Sequence, residues 1–146
     1  MTILKSIQID SKKEELWSWL TEFEKLKKWN KTIIKEEHIS KKEAKIGYKT
    51  KVLIREGSRE IWYNNEILVY QPNECLRIAL SGGTLGKNPM IVEYLINEKN
   101  NQLELTLESN WKPSGFILKM FYPFIKVKAT RNTVEILQEL KNQIEK

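Results

Sequence analysis

The feature that most limits the fold of this chain is a series of six strand-like segments separated only by short turns. The segments are Thr32–Ser40, Tyr48–Glu56, Glu60–Tyr70, Leu76–Ser81, Met90–Asn97 and Gln102–Trp111. Glycine, proline and asparagine stand at several junctions, as in Gly57-Ser58 and Gln71-Pro72-Asn73. Because a parallel crossover needs a dozen or more residues, connections this short predict an antiparallel meander.

A strand and two short helices are predicted before the meander. From Ile3 to Asp10 the sequence alternates with period two, which places Ile3, Ile7 and Ile9 on one face of a strand. The segment Ser11-Lys12-Lys13-Glu14 fits a capping box, with Ser11 as the N-cap. Apolar residues then recur at helical spacing, which predicts helices over 11–23 and 24–29.

A long helix is predicted after the meander. Beyond Pro113-Ser114-Gly115 the apolar pattern is helical to the end of the sequence, with a break expected near Phe121–Pro123 because proline disrupts a helix. The predicted fold is therefore α+β: a strand, two short helices, a six-stranded antiparallel meander and a long C-terminal helix. With 146 residues, we expect one domain over 1–146 with an adequate core.

Charged residues indicate which side chains of the meander point inward. A charge on the covered face would have to be desolvated, so Lys49, Lys51 and Arg55 are expected to face solvent. The same rule places Val69 inside. The inner face is then apolar with a few polar tips, and we expect the C-terminal helix to cover it with a matching stripe. The expected stripe comprises Phe116, Met120, Phe124 and Val127.

The polar tips on this face favour a ligand cavity over a filled core. Apolar walls with a few convergent polar groups are typical of ligand sites. The alternative is that these tips bind one another or buried water. The predicted ligand-binding residues are Trp29, Tyr48, Thr50, Val52, Ile54, Tyr63, Asn65, Ile67, Ile78, Leu80, Tyr94, Leu105, Leu107, Ser109, Trp111, Phe116, Met120 and Phe124. Trp29, Trp111 and Phe116 are expected to line or cap the entrance, with ordinary core packing as the alternative.

Three stretches of the sequence resemble the SRPBCC superfamily, which has the START-like helix-grip fold, and in particular its polyketide cyclase/dehydrase-like branch. They are the opening segment from Ser11 to Trp29, the turn Val69–Leu76 and the terminal helix around Leu137–Glu145. The resemblance implies a hydrophobic cavity between the sheet and the long helix. Members bind lipids, sterols, polyketides, plant hormones or quinones, some cyclise or dehydrate polyketides, and others assist chaperones or ribosomes. No catalytic set runs through the superfamily.

Sequence motifs for metal or nucleotide chemistry are weak. His38 and Cys75 have no partners at ligand spacing, so we expect no metal site and no cofactor, and we interpret His38 as a surface residue. The segment Gly82–Asn88 fails the phosphate-loop pattern in its glycine spacing and in Asn88, which stands in the place of Ser or Thr. We interpret it as a flexible loop near the cavity mouth that gates entry.

Binding of a small hydrophobic molecule is the function that the sequence favours. One alternative is a cyclase-like enzyme that uses Tyr63, Asn65 and Tyr94, with Glu56 at a strand end. Another is a protein-interaction module that meets an acidic partner, a ribosome or a membrane surface. Its basic patch would comprise Lys25, Lys27, Lys28, Lys31 and Lys35.

Charge and cysteine content limit the partners and the compartment. Of 25 basic residues 21 are Lys, whereas phosphate recognition favours Arg, so no nucleic-acid partner is expected. No apolar run reaches the length of a membrane span. A single cysteine and the absence of a signal-like N-terminus predict a cytoplasmic protein. We expect a monomer or a homodimer.

Overall fold

The computed structural model describes residues 1–40 and 45–146 and contains one antiparallel sheet. Its strands are β1 (Thr2–Ile9), β2 (Ile33–His38), β3 (Lys49–Glu56), β4 (Arg59–Gln71), β5 (Cys75–Gly82), β6 (Met90–Lys99) and β7 (Gln102–Asn110). They lie in the order β1-β7-β6-β5-β4-β3-β2. The predicted meander is confirmed, and β1 extends it to seven strands by pairing with β7.

In residues 1–40 and 45–146, four helices lie against this sheet or beside it. They are α1 (Lys13–Thr21), α2 (Phe23–Trp29), α3 (Phe116–Met120) and α4 (Tyr122–Ile144). The expected break in the C-terminal helix falls at Phe121, between α3 and α4, with Pro123 in the first turn of α4. The α+β helix-grip architecture is therefore as predicted.

The start of α1 differs from the prediction. Ser11 does not cap the helix: Lys12 is the N-cap, and the Ser11 hydroxyl donates to the Lys12 carbonyl oxygen. No side chain caps the amides of the first turn, because the N-cap residue is a lysine, which has no acceptor group. The helix begins at Lys13, two residues later than the sequence pattern indicates.

The register of the sheet confirms most of the predicted inward positions. Ile3, Ile7 and Ile9 of β1 stand opposite Ser109, Leu105 and Leu103 of β7. Paired residues of neighbouring antiparallel strands share a face, so these side chains lie together on the inner face.

One predicted inward residue, Val69, is wrong. A β-bulge between Ile67 and Val69 inserts an extra residue into β4 and shifts the alternation. Val69 then stands opposite the outward Arg77, while Tyr70 stands opposite the buried Leu76.

The helical stripe that covers the sheet also differs from the prediction. Phe116, Met120, Phe124 and Val127 are all exposed to solvent. The apolar residues of this region that contact the core are Leu118 and Ile125 instead, and further along α4 the buried residues include Leu137 and Leu140. About a dozen apolar residues in 30 positions fill two faces of a helix, so periodicity alone did not separate the packed face from the free one.

The core consists of two apolar clusters at opposite ends of the inner face. The larger one joins α1, α2 and the C-terminal half of α4 to the sheet, around Trp29, Leu105 and Leu140. The smaller one contains Tyr63 and Trp111, together with the buried Leu85 of the loop between β5 and β6. The row of residues next to the smaller cluster still belongs to the larger one, because Ile67 is part of it and Ile78 and Val92 pack against it.

Candidate functional site

The candidate site is the middle of the inner face, where side chains that point toward the helices remain only partly covered. A row of residues crosses four strands here, from Ser109 through Val92 and Ile78 to Ile67. Ile67 is buried, whereas the other three are only half-buried although they belong to strands inside the sheet. Ile78 and Val92 pack against the larger cluster, and their partial exposure shows that solvent reaches this part of the inner face.

The side-chain amide of Asn65 is the polar group of this face that most clearly lacks a hydrogen-bond partner. Asn65 stands opposite the buried Thr50, and its amide nitrogen lies 3.3 Å from the Thr50 hydroxyl oxygen. The other amide atom, Oδ1, is fully buried and has no hydrogen-bond partner in the described part of the chain. Turning the amide over would exchange the two atoms but still leave one of them unpaired. Such an atom costs about 1–3 kcal/mol unless a ligand or a water pairs with it.

A hydrogen-bonded chain of three side chains lies beside Asn65 at the β2–β3 edge. The Tyr48 hydroxyl is 2.6 Å from Nδ1 of His38, and Nε2 of His38 is 3.2 Å from a carboxylate oxygen of Glu36. With the imidazole proton on Nε2, Tyr48 donates to His38 and His38 donates to Glu36. The His38 side chain is 60% exposed, as expected of a surface residue, while that of Glu36 is 19% exposed. Burial raises the pKa of Glu36, and His38 partly opposes this shift.

The third polar group, around Tyr63, is closed to ligands. Tyr63 is almost fully buried, and its hydroxyl donates to Glu56 and lies 2.8 Å from the Thr84 hydroxyl. Burial and the bond to Glu56 raise the pKa of Tyr63. Gly83 covers the ring so closely that a Cβ at this position would overlap the ring carbons. Tyr63 therefore holds a loop in place and is not available as an acid or base.

Tyr94 lies deep in the molecule beside the larger core cluster. Its ring meets Trp29 edge-on, with centroids 6.4 Å apart, and the residue as a whole keeps a small exposed fraction. Burial raises the pKa of Tyr94 to about 12. The hydroxyl thus keeps its proton at neutral pH and can act as a hydrogen-bond donor to a ligand.

The loop between β5 and β6, expected to gate the entrance, is tied down at several points. Leu85 is buried, and its carbonyl oxygen accepts a bond of 3.1 Å from the Trp111 indole. The Lys87 amide donates to Ser114, and the Asn88 side chain donates to the Lys112 carbonyl oxygen. The loop thus forms a fixed wall at this end of the sheet.

Residues 10–142 match the family model described as Activator of Hsp90 ATPase homolog 1-like protein. The chain belongs to this family. The SRPBCC-type fold inferred from the sequence is thereby confirmed.

Solved structures agree with the family assignment at the level of fold. TTHA0849 from Thermus thermophilus is 11% identical, with a TM-score of 0.79 and coverage of 99% of this chain and 97% of that one. A START superfamily protein from Mycobacterium smegmatis is 12% identical, with a TM-score of 0.77 and coverage of 99% and 97%. The Aha1 dimer from Colwellia psychrerythraea is 17% identical, with a TM-score of 0.66 and coverage of 99% and 96%. Comparison with curated protein sequences finds no match.

The predicted ligand-binding residues fall into four groups. Buried in the larger cluster are Trp29, Ile67, Leu105 and Leu107. Belonging to the smaller cluster or packed against it are Ile54, Tyr63, Leu80 and Trp111. On the inner face, at or beside the partly covered row, are Tyr48, Thr50, Val52, Asn65, Ile78, Tyr94 and Ser109. Exposed to solvent on α3 and α4 are Phe116, Met120 and Phe124.

Sequence reasoning missed three charged or titratable residues on the inner face. Lys5 stands opposite Leu107, and Glu36 and His38 stand opposite Val52 and Thr50. The period-two alternation of β1 could have identified Lys5, since it lies midway between Ile3 and Ile7. Glu36 and His38 gave no such signal, because β2 carries charged residues on both faces.

The basic patch proposed for a protein partner is largely neutralised by nearby carboxylates. The nearest nitrogen–oxygen distances are 3.3 Å for Lys25–Glu22, 3.2 Å for Lys27–Glu24, 3.8 Å for Lys31–Glu139 and 3.7 Å for Lys35–Glu37. These contacts weaken the field that the lysines would present to an acidic surface.

A pocket of ≈ 370 Å³ opens between the start of α1 and the β6–β7 turn, away from the candidate site. Among the described residues no group of three His, Cys, Asp or Glu side chains is placed to hold a metal ion. In the same residues no helix has both the length and the apolarity needed to cross a membrane.

Proposed function

We propose that this protein binds a small, mainly apolar molecule between the inner face of its sheet and the α3–α4 segment. The observation that carries the proposal is the partly covered row from Ser109 to Ile78, next to the unpaired amide atom of Asn65. Apolar walls provide affinity through area burial, and a few polar groups fix the orientation of the ligand.

The polar groups indicate the chemistry of the ligand. Tyr94 offers a donor, and the amide of Asn65 offers one buried polar atom beside Thr50. The exposed His38 lies at the rim, where it can meet the more polar end of the ligand. A lipid-like or aromatic molecule with one hydroxyl or carbonyl group fits this pattern.

Two observations favour binding over the alternatives. The cyclase-like alternative assigns acid–base work to Tyr63, Asn65 and Tyr94 with Glu56, but Tyr63 is buried and already bonded to Glu56, which removes two of these four groups. The protein-interaction alternative needs free lysines between Lys25 and Lys35, and four of the five are paired with carboxylates.

The single cysteine, Cys75, is buried and has no partner cysteine, which supports a cytoplasmic location.

Titration with a neutral fluorescent probe, N-phenyl-1-naphthylamine, tests the proposal. We expect saturable binding to the wild type and a loss of affinity of about tenfold or more in Val92→Trp, because the new ring fills space that the probe needs. Val127→Trp is the matched control, since Val127 is exposed. Circular dichroism verifies that both variants fold, and Ser109→Leu serves as a second filling variant. Binding that is absent, or equally strong in all variants, contradicts the proposal.

A further inference from the structure

The outer side of α3 and the first half of α4 carries an apolar surface that the fold does not cover, here called the outer stripe. Its residues are Phe116, Ile117, Met120, Phe121, Phe124 and Val127. Phe116 is 80% exposed and Phe124 is 74% exposed, whereas Leu118 and Ile125 of the same segment pack against the core. Contiguous apolar surface of this kind is uncommon on a protein that acts alone in water and marks an interaction site.

The outer stripe lies in the longest segment of the chain that has positive charges and no negative ones. Between Glu108 and Glu135 there is no acidic residue. The cationic residues in this interval are Lys112, Lys119, Lys126, Lys128 and Arg131. Among the ion pairs of the described residues, none involves these five side chains. Their charge is therefore available to an occupant of the stripe.

The charges decide which occupant fits. A second copy of the chain would bring two such cationic surfaces face to face, and like charges across an interface oppose association. An anionic occupant instead gains from every lysine. A convex helical surface with phenylalanine on one side and lysine beside it is the composition of helices that lie in a lipid interface.

We infer that the outer stripe docks on an anionic lipid surface, with the phenylalanine rings inserted at the boundary of the acyl chains and the lysines among the headgroups. Docking leaves the core contacts of Leu118 and Ile125 intact, because they lie on the opposite side of the segment. It depends on the exposed surface alone and does not rest on the proposed ligand.

Co-sedimentation with vesicles tests this inference. The probes are vesicles of phosphatidylcholine alone and vesicles of phosphatidylcholine mixed with an equal part of phosphatidylglycerol. The wild type should bind the mixed vesicles much more tightly, and added salt should weaken binding because it screens the lysines. The double variant Lys128→Glu/Arg131→Glu, at two positions on the same side of α4 as Phe124, should bind at least about 30-fold more weakly, since each cationic residue near such a surface contributes about fivefold. The double variant Phe116→Ser/Phe124→Ser should lose about tenfold or more.

Matched controls separate docking from the general positive charge of the protein. Lys49→Glu/Lys51→Glu changes the net charge by the same amount on the outer face of β3, and Leu4→Ser removes an exposed apolar residue elsewhere. Both should bind nearly as well as the wild type, and circular dichroism confirms folding in each case. Sedimentation velocity measures self-association without lipid. Absence of binding to the mixed vesicles, equal losses in the controls, or a dimer that Phe116→Ser/Phe124→Ser abolishes would each overturn the inference.

Discussion

At the scale of single residues, the inner face of the sheet carries polar groups that the protein itself does not fully satisfy. Asn65 is the clearest case, because one atom of its amide is buried without a partner among the described residues. A group of this kind lowers stability in the absence of a ligand and gains a partner when a ligand binds. Function and stability should therefore oppose each other at this position.

We expect Asn65→Leu, made together with Thr50→Val so that the buried Thr50 hydroxyl is not left unpaired, to raise the free energy of unfolding of the ligand-free protein by about 1 kcal/mol, because the change removes an unpaired buried polar group. Urea unfolding measures this effect. Asn64→Leu is the matched control: Asn64 is adjacent but exposed, so its replacement should change stability by less than about 0.5 kcal/mol. A clear destabilisation by the Asn65→Leu change would contradict this prediction, because it would show that the amide stabilises the ligand-free protein.

The raised pKa of Tyr94 predicts a change of stability with pH. The hydroxyl has a pKa of about 12 in the folded protein against 10.0 ordinarily, so its contribution is complete below pH 10 and is lost as the pH rises through 12. Tyr94→Phe should remove this loss, which amounts to about 1 kcal/mol between pH 9 and 11 and is seen as a shallower decline of unfolding free energy over that range. Tyr122→Phe, on α4, is the control. Equal slopes for the two variants would contradict the assignment.

At the scale of elements, the prediction from sequence worked where the two faces of a strand differ in polarity and failed where they do not. Lys49, Lys51 and Arg55 determined the orientation of β3 correctly. Nothing in the sequence marked the bulge in β4, which arises from pairing with β5, so Val69 was placed on the wrong face. In β2, charged residues stand on both faces, so the sequence did not show that Glu36 and His38 lie on the inner face.

The C-terminal helices show the same limit. The sequence contains apolar residues for two stripes, and only tertiary contacts show that the one with Leu118 and Ile125 packs on the core. Most of the fold could be predicted from the sequence because its elements are strongly patterned. The candidate site could be predicted only in outline, since its width depends on which stripe faces the sheet.

The packed face of α4 can be tested by a pair of substitutions. Leu140 is fully buried, so Leu140→Ala should cost about 2–5 kcal/mol of unfolding free energy. Val134 is 49% exposed, and Val134→Ala should cost less than about 1 kcal/mol. Urea unfolding of both variants gives the comparison. Similar losses would show that α4 is rotated relative to this description.

The loop between β5 and β6, which covers Tyr63, provides another test at the scale of elements. Gly83 has a φ of +53°, and a Cβ there would overlap the Tyr63 ring. Gly57 has a φ of +63° with nothing within 4 Å of a Cβ, so Gly57→Ala carries the backbone strain without the overlap. Gly83→Ala should therefore be less stable than Gly57→Ala by about 1–3 kcal/mol in urea unfolding. Equal losses would mean that the loop does not press on Tyr63.

At the scale of the whole molecule, the fold divides its apolar surface among three tasks. The clusters at the two ends of the inner face hold the sheet and helices together. The partly covered middle of that face is the proposed ligand site. The outer stripe of α3 and α4 is the proposed lipid-facing surface. It lies on the side of these helices away from Leu118 and Ile125.

The location of a bound apolar probe tests the central claim most directly. In a titration with N-phenyl-1-naphthylamine followed by NMR of isotope-labelled protein, the account predicts that the largest chemical-shift changes lie at Ile78, Val92 and Tyr94. Phe116 and Phe124 should change little. Shifts confined to the outer stripe, or no saturable shifts at all, would contradict a ligand site between the sheet and the helices.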